Sequence, residues 1–122
     1  MLKSIIGICF DCRDAKVLGD FYYKLTGWVK EIEGKEFVAL RTPEDILLVF
    51  QTVENFIPPV WPSDNENQQQ MAHIDFFVDN LIETEELAIK LGAKKSEIQF
   101  YEDSTVMLDP AGHPFCISTI KQ

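Results

Sequence analysis

An α+β fold is expected, with two tandem βαβββ units forming a curved mixed sheet around a cleft and the helices outside. Three features of the chain lead to it. Asp14 and Asp79 stand 65 residues apart, and so do Gly27 and Gly92. Both halves run through one order of signals: strand, helix, glycine, strand, strand, turn, strand. A proline-rich and then wholly polar stretch separates them. A half-sized unit cannot cover its own sheet, so two such units would pair and leave a concave, partly apolar groove, the usual place for a ligand.

The first unit covers residues 1–53. Ser4 to Phe10 is short, apolar and β-branched, as a strand is. Asp14 is placed to cap a helix whose apolar face carries Val17, Leu18, Phe21, Tyr22 and Leu25 at spacings of three and four. Gly27 ends that helix. Trp28 to Ile32 and Phe37 to Arg41 read as a hairpin around the turn Glu33-Gly34-Lys35. Residues 42–45 turn again, and Ile46 to Val53 is a strongly apolar strand.

Residues 54–71 form the linker. Pro58, Pro59 and Pro62 interrupt any regular element, and Ser63 to Gln70 is polar throughout. Trp61 within it needs a place to bury its ring and is the candidate for a ligand-stacking lid or, alternatively, an anchor for the linker.

The second unit, 72–122, restarts the pattern. Ala72 to Val78 is a strand, Asp79-Asn80 offers an N-cap, Leu81 to Leu91 is a helix with Leu87 and Leu91 four apart, and Gly92 closes it. Lys95 to Tyr101, Ser104 to Leu108 and Phe115 to Ile120 read as strands. Residues 109–114, Asp-Pro-Ala-Gly-His-Pro, make a tight turn in which Gly112 supplies a backbone angle reserved for glycine.

Composition limits the function. Of the 122 residues, 46% are hydrophobic, enough for a core, and the net charge is −9. An acidic chain with scattered cations suits neither nucleic acid nor an anionic membrane surface. No apolar stretch reaches the roughly 20 residues of a membrane helix. The N-terminus has no signal-peptide pattern, and the three cysteines suggest no disulfide framework, so a reducing cytoplasm is the expected compartment.

Strand alternation selects candidate site residues. His73, Asp75 and Phe77 share one face of their strand, and Gln51 shares a face with Val49 while Phe50 points to the helix side. The repeat places Cys116 opposite Gln51 in the two units. Cys9-x-x-Cys12 matches a redox motif in letters only, and buried, inert thiols are the better reading.

Several motifs in order resemble the glyoxalase/bleomycin-resistance/dioxygenase (vicinal oxygen chelate) superfamily. They are Phe21-Tyr22-x-x-Leu25-x-Gly27-Trp28, the run from Gln69 to Phe76, Leu91-Gly92-Ala93, and 109–116, which is similar to a glyoxalase-like bacterial subgroup, as is the linker run 58–62. The resemblance implies a metal ligand from the first and fourth strand of each unit. The matching positions are Gly7 or Ile8, according to register, then Gln51, His73 and Cys116. Only His73 fits, so no catalytic metal and no other cofactor is expected. A soft site of His73, Gln51 and Cys116 is the alternative.

The function expected is therefore binding of a small molecule in the cleft by Val49, Gln51, Trp61, His73, Asp75, Phe77 and Cys116. One alternative is a lyase or isomerase acting on a carbonyl compound, with His73 as catalytic acid/base. The other is a non-catalytic interaction domain. The resemblance also implies a homodimer.

Overall fold

The computed structural model describes residues 1–121, and its elements follow the expected order. They are β1 (Gly7–Cys12), α1 (Ala15–Thr26), β2 (Val29–Glu33), β3 (Phe37–Arg41), β4 (Leu47–Thr52), β5 (Ile74–Phe77), α2 (Leu81–Leu91), β6 (Lys94–Lys95), β7 (Ser104–Leu108) and β8 (Pro114–Ser118). The chain divides into two compact units, Met1–Phe56 and the remainder from Ile57. Each contains a four-stranded mixed sheet, ordered β1-β4-β3-β2 in the first and β5-β8-β7-β6 in the second. In each, the first and fourth strands pair in parallel and the hairpin strands pair antiparallel. The linker residues from Ile57 onward thus belong to the second unit.

Local chemistry explains the helices. The Asp14 carboxylate accepts from the Lys16 and Val17 amides, and Gly27 ends α1 in the left-handed region at φ 70°. The buried face of α1 is Ala15, Leu18, Gly19, Phe21 and Tyr22, so Val17, expected on it, lies outside. The small residues set this: a methyl at Gly19 would come within 2.4 Å of Val38 Cγ1, so the bare glycine lets α1 press onto β3. Tyr22 stacks on Phe50 of β4 at 5.0 Å, which puts Phe50 on the helix side as alternation requires.

In the second unit Asn80, rather than Asp79, is the cap, its side chain accepting from the Glu83 amide. Ala88 is the fully buried residue of α2, while Leu87 is 40% exposed. Phe115 and Ile117 of β8 and Met107 of β7 supply the core there, with Phe76 edge-on to Phe115 at 5.9 Å.

The strand expected over Lys95 to Tyr101 is reduced to the two residues of β6. A side chain takes over the ladder. Gln99 Nε2 donates to the carbonyls of Ser96 and Val106, and Gln99 Oε1 accepts the Val106 amide at 2.8 Å. The backbone of 97–101 is thereby released from pairing with β7. The 109–114 turn is structural as read: Asp109, almost fully buried, accepts from the Ala111 and His113 amides, and Gly112 sits at φ 92° beneath Pro58.

Candidate functional site

The polar residues of the second unit converge on the sheet face turned away from α2. His73, just before β5, and Asp75 are two residues apart and share a face, with Nε2 to Oδ1 at 3.1 Å. Asp75 lies directly opposite Cys116 in the parallel β5–β8 ladder. The ligand-type atoms of His73, Asp75 and Cys116 all lie within 4.8 Å of one another. His73 and Asp75 are exposed and Cys116 is half-buried. Burial first, and then the neighbouring Asp75 carboxylate, push the Cys116 thiol up to about 11. Cys116 is therefore a neutral S–H near pH 7, a hydrogen-bonding wall rather than a nucleophile. Phe77 is 55% exposed beyond Asp75, with the Lys121 ammonium 5.8 Å from its ring centroid.

The other expected residues fall elsewhere. Gln51 belongs to the first unit, where its amide donates to Asp11 Oδ1 at 2.7 Å, and Val49 is half-buried on the same strand face. Trp61 is half-buried, edge-on to Phe100 with ring centroids 6.4 Å apart, and its indole N–H is buried without a partner among the described residues. Cys9 is exposed, while Cys12 is buried and its thiol donates to the Gln51 carbonyl.

The ladder also corrects the register of the first unit. Gln51 and Cys116 are 65 apart, but their strand partners Asp11 and Asp75 are 64 apart. The residue equivalent to His73 is thus Cys9, neither Gly7 nor Ile8. The one-residue offset arises because, counted from these aspartates, the run to the helix is two residues longer in the second unit, while α2, with 11 residues, is one shorter than α1, with 12. No signal in the residues alone announces it, since Ser4 to Cys12 alternates plausibly in either register.

A concavity of about 500 Å³ lies on the opposite side of the second unit's sheet, between the first turn of α2 and residues 99–105. None of the expected site residues lines it. Its one deeply placed carboxylate, Glu85, is already held by the Thr105 hydroxyl and by Lys95 at 3.2 Å.

The donor chemistry bears on the cation implied by resemblance. A cage for a hard ion needs several oxygen ligands. The fourth-strand positions carry Gln51 and Cys116, and neither is a carboxylate. His73, Asp75 and Cys116 instead offer one nitrogen, one oxygen and one sulfur, a set that fits a zinc-like ion.

The sequence profile of the glyoxalase-like domain matches residues 7–118. The chain belongs to the glyoxalase-like domain family. Solved structures agree on this fold. A glyoxalase/bleomycin resistance protein/dioxygenase family enzyme from Burkholderia phytofirmans PsJN superposes with TM-score 0.72 at 19% identity, over 94% of this chain and 97% of that one. A glyoxalase-related enzyme from Fulvimarina pelagi gives 0.73 at 15% identity, over 96% and 88%. The fosfomycin resistance protein of Listeria monocytogenes gives 0.72 at 12% identity, over 99% and 94%. No curated protein matches the chain. For a glyoxalase-like domain, the two βαβββ units and their parallel first–fourth strand pairs are the family's own architecture. At such low identities the likeness extends to the fold and leaves the chemistry to the residues themselves.

Proposed function

We propose that this glyoxalase-like protein binds a small polar organic molecule on the open face of its second sheet, without Lewis-acid catalysis. One observation carries the reading: His73, Asp75 and Cys116 present a donor, an acceptor and a neutral thiol within 4.8 Å, beside the exposed ring of Phe77. A few converging polar groups next to an apolar surface suit recognition of a compound bearing hydroxyl or carbonyl groups. The half-buried Trp61 is the proposed lid residue, because a loop-borne aromatic ring that keeps part of its surface open can stack on a ligand. Gln51 and Val49 form the matching face of the first unit. The protein acts as a homodimer, as its family resemblance implies.

The test is a thermal-shift screen of small metabolites run with a chelator present. A specific ligand raises the melting temperature by mass action. The shift is expected to vanish in His73→Ala and Asp75→Asn while the melting temperature without ligand stays near that of the unaltered protein. Ligands whose shift survives both substitutions would place the site elsewhere.

The His73–Asp75 contact favours one further reading, a lyase or isomerase acting on a carbonyl compound. A carboxylate 3.1 Å from Nε2 orients the imidazole and leaves Nδ1 to move a proton at the carbon beside the carbonyl. Exchange of that carbon's proton for deuterium, followed by NMR, detects this directly. It is expected in the unaltered protein and absent in His73→Ala.

A further inference from the structure

The concavity beside α2 exists because the two helices seat differently on their sheets. Counted from the helix start, the fifth residue of α1 is Gly19, whose bare backbone lets the helix press onto Val38. The fifth residue of α2 is Glu85. Its carboxylate reaches over β7, accepts from the Thr105 hydroxyl and pairs with Lys95 at 3.2 Å. The first helix buries five residues and the second only Ala88. The chain beyond β6 does not close the gap, because Gln99 holds residues 97–101 off the ladder. A hollow of about 500 Å³ is left, in the size range of small-molecule sites.

The lining of this hollow combines charge with apolar surface. The Lys95 ammonium offsets the Glu85 carboxylate. Two further lining carboxylates, Asp79 and Glu102, have no partner among the described residues. The N-terminus of α2 opens on the same space and contributes about half a positive charge, which two free carboxylates outweigh. An anion is therefore repelled and a cation attracted. Beside the carboxylates stand two largely exposed apolar surfaces, Ile82 at 68% and the Tyr101 ring at 76%. Ser104 and Thr119 add hydroxyl oxygens that can accept N–H groups. A bare inorganic ion would leave the side chains of Ile82 and Tyr101 unused, whereas a cation on an apolar body uses every part of the lining.

We propose that this hollow binds a small organic cation, an ammonium or guanidinium group on an apolar body. The cationic group meets Asp79 and Glu102, and the body lies against Ile82 and Tyr101. The site is separate from His73, Asp75 and Cys116, which face the other side of the sheet, so the two ligand sites stand or fall independently.

Isotope-labelled full-length protein is titrated at low salt with phenethylammonium, and amide shifts are followed by NMR. Saturable shifts are expected at the Ile82, Tyr101 and Ser104 amides. Phenethyl alcohol, the neutral analogue, should bind at least about tenfold more weakly, the loss that one charge-assisted hydrogen bond carries, and phenylacetate should not bind. Raising the salt concentration should weaken phenethylammonium binding, because both carboxylates are exposed. Asp79→Asn combined with Glu102→Gln should weaken it by about tenfold or more, and Tyr101→Ala should weaken it separately. Circular dichroism checks that each variant is folded. Absence of saturable shifts overturns the proposal. So does equal affinity for the alcohol, an affinity unchanged in the double variant, or shifts that centre on His73 and Cys116 instead.

Discussion

At Cys116 a thiol is placed where its anion is costly. Its pKa, pushed up to about 11 from an ordinary 9.0 by burial and by Asp75, gives two expectations. Alkylation at pH 8 should label the exposed Cys9 well before Cys116, and labelling of Cys116 should accelerate as pH rises toward 11, as peptide mass spectrometry can follow. The linkage has a definite sign. The folded state holds this proton more tightly than the unfolded chain does, so the stability it contributes is complete below pH 9 and declines between pH 9.0 and about 11. Cys116→Ser should flatten that decline in denaturant midpoints measured across the window. His73, Asp75 and Cys116 were each legible as candidates from strand parity and the repeat. Their assembly was not, because a contact across two strands depends on a register that the order of residues leaves open.

At the scale of elements, two close fits control stability. Gly19 of α1 faces Val38, and a methyl there would overlap the valine. Gly19→Ala should therefore destabilise the protein by about 1–3 kcal/mol in urea unfolding, despite alanine's better helix propensity. Adding Val38→Ala should recover part of the loss, because the clash is with that side chain. Gln99 is the second. Its amide serves both the N–H and the carbonyl of Val106, and since the Ser96 amide also donates to that carbonyl, Gln99→Ala leaves the buried Val106 N–H unpaired and should cost about 1–3 kcal/mol, with faster hydrogen exchange at the Val106 amide. The helices themselves were readable from caps and closing glycines: Leu81–Leu91 has the expected bounds, and α1 starts directly after Asp14 and ends before Gly27. The expected strand over 95–101 fails for a tertiary reason. Alternation there is compatible with pairing, but Gln99 occupies the partner's place on β7.

At the scale of the whole molecule, the family resemblance leads to a further expectation: light scattering in solution should report about twice the 14.0 kDa chain mass. A mass that stays at one chain across the accessible concentration range would remove the dimer from the proposed function. The amino-acid order alone determined that there are two βαβββ units, which segments are helical, where each helix begins and stops, and which face of each strand is apolar. Those properties are set by neighbours within a few residues: periodicity, caps, and glycines at positive φ. The folded structure alone decided that Cys9 rather than Gly7 or Ile8 matches His73, that Asp75 meets Cys116, and that β6 is two residues long. Those features rest on hydrogen bonds between residues some 10 to 40 positions apart along the chain, where a shift of one residue exchanges the buried and open faces of a strand.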